Sequence, residues 1–251
     1  MKIGIVILAT NAYFVLGIRL MKKFMQFYKG GHQITFYFFS DTDPEDYLPD
    51  HIQYQYYPTR NSNWVEGTNL KFVSIMKLED CDADYLFYFD ADTNIDKDFT
   101  EEWFLGDSAG GQHYGDQDWM KINKAFDRNP LSKAYVPKDT PLPQMYYYGA
   151  FFGGTKDWMV NFSKLMRSYQ LEDKKINYEP AVNDESYINR EFHYNPPKKV
   201  VATKDFAFLI SDKGGLRETR RMDLNTEAIK QRLLILKDVN IDIRNGEAIQ
   251  V

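Results

Sequence analysis

The amino-terminal run Ile3–Ala9 is the strongest constraint on the fold. It is continuously apolar and rich in β-branched residues, the pattern of a strand buried on both faces. Such a strand needs layers packed above and below it. The chain supplies them in order. A polar break, Thr10-Asn11-Ala12, leads into Tyr13–Tyr28, where Phe14, Ile18, Met21, Phe24 and Met25 recur at helical spacing. Gly30-Gly31 ends that helix, and Gln33–Phe39 is a second strand running to Ser40-Asp41. Strand, helix and strand in one sheet imply parallel strands and a right-handed crossover.

The pattern continues. Gln53–Tyr57 reads as a third strand and Trp64–Leu78 contains a helix with Leu70, Ile75 and Met76 inward. Tyr85–Phe89 is a fourth strand, with Asp90 opening the loop after it. The first ninety residues therefore predict an open, Rossmann-like α/β sheet. Ligands of such sheets sit outside the carboxyl ends of the strands, which nominates Ala9–Tyr13 and Asp90–Asp92. Beyond this region Gly106–Gly115 predicts a glycine-rich loop and Pro137–Pro143 another. Tyr146–Gly154 is aromatic with interleaved glycines, Asp184–Glu191 is helical in composition, and Thr226–Lys237 is an amphipathic helix along Ile229, Leu233 and Leu236. The expected organisation is one catalytic domain over 1–222 and a helical extension over 223–251.

Composition excludes several classes. A net charge of −5 without a basic stripe argues against a nucleic-acid binder. One cysteine, Cys81, permits neither an intramolecular disulfide nor a cysteine-rich zinc site. No segment approaches the roughly 18 apolar residues of a membrane span. Aromatics at 16% suit sugar and base stacking as well as ordinary core packing.

Asp-x-Asp recurs at Asp41/Asp43, Asp82/Asp84, Asp90/Asp92 and Asp96/Asp98. Position separates these pairs. Asp82 and Asp84 precede a strand, Asp96 and Asp98 fit a solvated turn, and Asp90 and Asp92 stand at the ligand edge. Two carboxylates about 5 Å apart repel by roughly 3 kcal/mol at an effective dielectric near 20. A close pair therefore needs water, a proton or a cation, and hard ions such as Mg²⁺ or Mn²⁺ suit carboxylate oxygen. A solvated turn and a cation site both fit Asp90/Asp92 at this point. A second acidic cluster, Asn183-Asp184-Glu185-Ser186, precedes a helical stretch. Helix capping explains it. A carboxylate serving an oxocarbenium-like centre explains it too, and on these residues alone capping is the stronger explanation.

Taken together, several segments resemble glycosyltransferase family 6, which includes the ABO blood-group transferases and the α1,3-galactosyltransferases. They are Ala134-Tyr135-Val136-Pro137-Lys138-Asp139, Tyr146-Tyr147-Tyr148-Gly149-Ala150-Phe151-Phe152-Gly153-Gly154, and Asp184-Glu185-Ser186 with Ile188-Asn189 and Pro197-Lys198-Lys199-Val200. Asp84-Tyr85-Leu86 leading to Asp90-Ala91-Asp92 completes the set. The resemblance runs from Ile3 to Met222.

The resemblance implies a GT-A fold and retaining transfer of galactose, or N-acetylgalactosamine, from a UDP-sugar to a glycan hydroxyl in α1,3 linkage. It puts Mn²⁺ or Mg²⁺ on Asp90 and Asp92, Ala91 beside the ribose, and Thr10 and Tyr13 at the uridine. Trp64 and Lys71 match a tryptophan and a basic residue near the donor. Asp184 would bind donor-sugar hydroxyls, and Glu185 would face the anomeric carbon as nucleophile or ion stabiliser, which reverses the capping preference. Lys213, Arg220 and Arg221 are similar to the basic segment that closes over the diphosphate. Tyr148-Gly149-Ala150 corresponds to the donor-choosing stretch, where alanine accompanies galactose. This favours UDP-galactose over UDP-N-acetylgalactosamine or UDP-glucose.

Departures from the family pattern fall on the acceptor side. Val182 and Asn183 replace Trp-His, His113 lacks its following proline, and Ala125 stands for a threonine. His113, Val182 and Asn183 are the expected acceptor contacts. Without the anchor of the family's animal members, the expectation is a cytoplasmic enzyme of bacterial or viral origin. The competing expectation keeps the fold as a non-catalytic sugar-nucleotide or glycan-binding module.

Overall fold

A computed structural model describes residues 1–60, 64–113, 126–139, 145–202, 230–231, 234, 237, 241–244 and 247–250. Side chains are described within 1–60, 66–113, 126–139, 145–202 and at 230, 231, 234 and 237. The chain divides into two compact units. The first comprises Met1–Ser62, Tyr88–Trp103 and Phe206–Val251, and the second Asn63–Phe87 and Phe104–Asp205.

In the first unit β1 (Lys2–Leu8), α1 (Tyr13–Phe27), β2 (Gln33–Ser40) and β3 (Tyr54–Pro58) follow the predicted order within one or two residues. The pairing is parallel throughout, from Lys2↔Gln33 to Leu8↔Phe39 and from Phe36↔Tyr54 to Ser40↔Pro58. Gly17 lets α1 lie close on the sheet, because a Cβ there would stand 2.7 Å from the Phe38 ring and 2.9 Å from Ala9 Cβ. Phe24 meets Phe36, Phe89 and Phe99 edge-on at centroid distances of 5.5, 5.9 and 5.0 Å. Each such pair adds about 0.5–1.5 kcal/mol to plain area burial. β4 (Tyr85–Phe89) starts in the second unit and ends in the first.

The expected tail helix falls largely outside the described residues, but Lys230, Gln231 and Leu234 are helical. Lys230 Nζ lies 5.0 Å over the Phe14 ring and 3.2 Å from Thr42 Oγ1. Beyond them β8 (Ile241–Arg244) and β9 (Glu247–Gln250) form an antiparallel ribbon that the sequence pattern did not announce.

The second unit holds α2 (Trp64–Met76), β5 (Ser108–Gln112), β6 (Tyr147–Thr155), α3 (Lys156–Lys175), α4 (Asn183–Tyr194) and β7 (Lys199–Val201). β5 pairs antiparallel with β6, with a register shift between Gly110 and Gln112, and parallel with β7. The glycine-rich loop expected over 106–115 is thus corrected, since Ser108–Gln112 is a strand. Its glycines serve close approach. A Cβ on Gly110 would sit 2.9 Å from both the Phe192 and Tyr147 rings, and one on the β6 residue Gly154 would sit 2.2 Å from Asp107 O. The aromatic segment Tyr146–Gly154 is the partner strand.

The longest helix among the described residues, α3, went unread because its buried face is narrow: Met159, Val160, Phe162 and Met166 carry it among many polar residues. Thr155 caps its start by accepting from Trp158 N at 3.3 Å, and Lys174 and Lys175 close its last turn. Near that end Asp173, 1% exposed, accepts from Ser132 Oγ at 2.6 Å, Lys133 N at 2.7 Å and Tyr187 Oη at 3.1 Å. One buried carboxylate thereby ties segment 126–139 to α3 and α4. Asp173→Ala strands three donors, and a loss of about 2–4 kcal/mol is expected. Urea denaturation checks this, with the exposed Glu172→Ala variant expected to leave the midpoint in place.

Candidate functional site

The first unit presents the loops after β1 and β4. Thr10 is buried and Tyr13 half-buried, with Tyr13 N donating to Thr10 O at 3.1 Å. Between them Asn11 adopts a left-handed φ of 56°, a conformation asparagine tolerates better than most residues. Its N–H donates to Asp41 Oδ1 at 3.1 Å, so one rival aspartate is a loop anchor. Asp43 accepts from Glu45 N at 3.0 Å, and Asp84 O accepts from Lys156 N at 2.9 Å. Asp96 and Asp98 are exposed, with Asp98 3.6 Å from Lys29 Nζ.

Asp90 and Asp92 behave differently from these. A turn closes on them, with Thr93 N donating to Asp90 O at 2.9 Å. Tyr88 Oη donates to Asp90 Oδ1 at 2.9 Å. Ala91 is buried, and Asp92 is 1% exposed, which removes the solvated-turn explanation for it. α1 reaches this loop with cations: Arg19 Nη2 donates to Asp92 O at 3.2 Å and Lys23 Nζ to Asn94 Oδ1 at 3.1 Å. A buried carboxylate requires compensating charge. The donor chemistry fits Mg²⁺ or Mn²⁺. No group of three or more His, Cys, Asp or Glu is assembled among the described residues, and such ions often take one or two protein carboxylates with phosphate and water completing the shell.

The second unit holds the other acidic cluster, at the first turn of α4. Asp184 and Glu185 do not cap that helix: position Val182 carries no side-chain cap bond. They reach out instead. Lys71 of α2, 2% exposed, lies 2.6 Å from Asp184 Oδ2 and donates to Gly149 O at 2.8 Å. The other face of that residue's backbone is used as well, because Gly149 N donates to Glu185 Oε2 at 2.7 Å. The glycine suits this close approach. A Cβ at 149 would stand 3.0 Å from Asp184 Oδ2 and 3.2 Å from Glu185 Cβ. Asn189, one helical turn after Glu185, accepts from Tyr147 N at 2.8 Å and donates to Tyr147 O and Glu185 O at 2.9 Å each. Helix and strand are thereby registered to each other.

Desolvation pushes the Glu185 carboxyl up to about 7, and Asp184 adds to it, while Gly149 N–H, the Tyr146 hydroxyl and Lys71 oppose the rise. Tyr146 is itself held well above its usual range, first by burial and then by Glu185. It therefore stays protonated. His113, after β5, donates its N–H to Tyr146 O at 2.8 Å and rests its ring 4.2 Å from Tyr148. Burial pulls it down to about 4, so it is neutral near pH 7.

Lys71, Gly149, Asp184 and Glu185 are thus brought together, with His113 against Tyr148. Tyr148, Ala150 and Val182 are half-buried, and Asn183 is buried with φ of 42°. Trp64 begins α2, but its side chain lies outside the described residues, as do Ala125, Lys213, Arg220 and Arg221. Sequence reasoning missed roles for Arg19, Tyr146 and Asn189. Asn189 could have been found four residues after Glu185 on the same helix face.

The family model for glycosyltransferase family 6 matches residues 1–208. The chain is 26% identical over 208 residues to the histo-blood group ABO system transferase 2 of Rattus norvegicus, covering 80% of this chain and 61% of that protein. It is 28% identical over 221 residues to the globoside alpha-1,3-N-acetylgalactosaminyltransferase 1 of Gallus gallus, covering 80% and 60%. It is 26% identical over 165 residues to the O-antigen biosynthesis glycosyltransferase WbnI of Escherichia coli, covering 64% and 69%. The chain spans about 60% of the length of the two animal relatives. No helix among the described residues is long and apolar enough to cross a membrane. With this match across most of its length, the chain belongs to glycosyltransferase family 6, and its mixed α/β architecture is the GT-A type of that family.

Proposed function

We propose that this chain is a retaining glycosyltransferase that moves galactose from UDP-galactose to a glycan hydroxyl in α1,3 linkage. The observation that carries this is the Asp184–Glu185 pair, the first buried and the second half-buried, gripped through Lys71 and both faces of Gly149, in a chain of this family. A solvated helix start needs no such construction.

The roles follow from the chemistry. Lys71 fixes Asp184 in place, ready to accept from sugar hydroxyls. Glu185 offers a carboxylate oriented by Gly149 N–H to a centre that develops positive charge, where it serves as nucleophile or ion partner. Thr10, Tyr13 and Ala91 serve the nucleoside. Asp90 and Asp92 would hold a divalent cation, which when bound neutralises the diphosphate and stabilises it as a leaving group. Lys213, Arg220 and Arg221 are assigned to the diphosphate by family resemblance alone. Ala150 puts a methyl where an acetamido group would compete, which favours galactose, whereas the name of the Gallus gallus relative specifies N-acetylgalactosamine. Ala150→Gly is expected to shift the UDP-N-acetylgalactosamine to UDP-galactose ratio of kcat/KM by roughly 10- to 100-fold. His113, Val182 and Asn183 are proposed acceptor contacts.

With UDP-galactose and Mn²⁺ the protein should release UDP slowly even without acceptor, and EDTA should stop it. Glu185→Gln should cut turnover by about a thousandfold or more with UDP affinity retained. Binding without any turnover by the unaltered protein would instead identify a non-catalytic module, and loss of UDP affinity in the variant would move Glu185 to a binding role.

The pH dependence has a definite sign. Glu185 acts as an anion, so the rate should rise with pH through about 7. Its folded value lies above the roughly 4.3 of an unfolded glutamate. The folded chain therefore holds the proton more tightly, and stability falls as pH rises from about 4.3 to 7. Glu185→Gln should raise the melting temperature at pH 8 and leave it nearly unchanged at pH 4.5, which differential scanning fluorimetry checks.

A further inference from the structure

The far end of β6 carries a second concave surface. Gly149 stands at the acidic cluster and Thr155 ends the strand, about 20 Å away along β6. There the start of α3 and the end of α4 form a pocket of about 620 Å³. Trp158, Tyr194 and Pro196 give it an aromatic and apolar lining, and Asp107 and Lys198 give it charge. None of these residues has a part in the transfer proposed above.

The aromatic residues are braced. Phe162 stacks on the Trp158 indole at a centroid distance of 4.8 Å and 17°, which takes one face of the ring and fixes it. Tyr194 is 48% exposed, yet Arg190 lies 5.2 Å over its ring and His193 meets it edge-on at 4.6 Å and 79°. A single exposed aromatic is ordinary. A braced indole and a braced phenol lining one hollow make a platform of the kind ligand pockets use.

The polar groups narrow the ligand. Lys198 Nζ meets Asp107 Oδ2 at 2.7 Å with both side chains exposed, and Ser108 Oγ accepts from Lys198 N at 3.0 Å. An exposed pair of this kind contributes little to folding. Among the described residues it leaves Asp107 Oδ1 as an acceptor and further Lys198 protons as donors, close together. Neighbouring hydroxyls of one sugar ring use both, because each hydroxyl donates and accepts. The C–H face of the same ring is apolar and suits an aromatic side chain. An anion fits poorly. The start of α3 would attract one, but Lys156 N is spent on Asp84 O at 2.9 Å and Trp158 N on Thr155 Oγ1 at 3.3 Å. Asp107 in the lining and Asp157 in the first turn of α3 add negative charge.

We propose that this pocket is a second carbohydrate site, taking one neutral hexose unit of a glycan with its C–H face against Trp158 and Tyr194 and its hydroxyls on the Asp107–Lys198 pair. Binding here needs no transfer chemistry, so the inference does not rest on the proposed function.

The test uses protein labelled with 5-fluorotryptophan, which gives four ¹⁹F signals. The Trp158 signal is identified by its loss in Trp158→Phe. If that variant does not fold, the signal displaced by Tyr194→Ala in sugar-free protein identifies it. Methyl α-galactoside, methyl α-glucoside and lactose are titrated, each with and without UDP and Mn²⁺. At least one sugar should move the Trp158 signal along a saturable curve with a millimolar midpoint that UDP leaves unchanged. Tyr194→Ala should weaken that binding by about tenfold and Asp107→Ala by about fivefold. No movement of the Trp158 signal with any of the sugars overturns the site. So does an unsaturable drift of all four signals, or a Tyr194→Ala protein that titrates like the unaltered one. Movement with adenosine or inorganic phosphate but with no sugar overturns the carbohydrate assignment. A saturable Trp158 response in a protein that turns over no UDP-sugar sustains this inference while sinking the proposed function.

Discussion

Lys71 and Asp184 meet at 2.6 Å where almost no water reaches either, and the rest of the second unit is arranged around that meeting. Taking two charges out of water costs several kcal/mol per ion, and the attraction repays this only when every remaining lone pair and proton is satisfied. Here Lys71 spends a second proton on Gly149 O. Gly149 turns its N–H to Glu185. Asn189 then fixes α4 against Tyr147. Breaking one link leaves an uncompensated charge in a dry interior, so the constellation is mutually dependent.

The same physics acts on the acids of the first unit with a different outcome. Asp92 is as buried as Asp184, and α1 sends Arg19 to its backbone oxygen. Glu185 instead retains a raised proton affinity, because its donors only partly offset desolvation. An acid held near neutrality is costly to the fold at working pH and useful to a reaction, the usual compromise at a functional site.

Part of this was legible in the sequence and part was not, for identifiable reasons. The β1–α1–β2–β3 order was readable because a strand buried on both faces writes an unbroken apolar run. Ser108–Gln112 was misread as a loop, since glycines chosen for close packing look like glycines chosen for turns. α3 escaped notice because few of its residues are both apolar and buried. Strand position alone distinguished Asp90/Asp92 from their rivals, and burial of Asp92 agrees with it. The acids at 184 and 185 resembled a helix cap because local sequence cannot register a lysine over a hundred residues away.

By itself the sequence determined what is local or periodic: parallel strands after an apolar start, a carboxylate pair at a strand's end, and family blocks in order. Tertiary structure decided what depends on burial and on partners distant in the chain. It made Asp173 an anchor and Asp41 a loop brace. It also turned Lys71 from a helix lysine into the counter-ion of Asp184 and brought Gly149 N–H to Glu185. Charge and hydrogen bonding are set by what surrounds a group, and only the folded chain supplies surroundings.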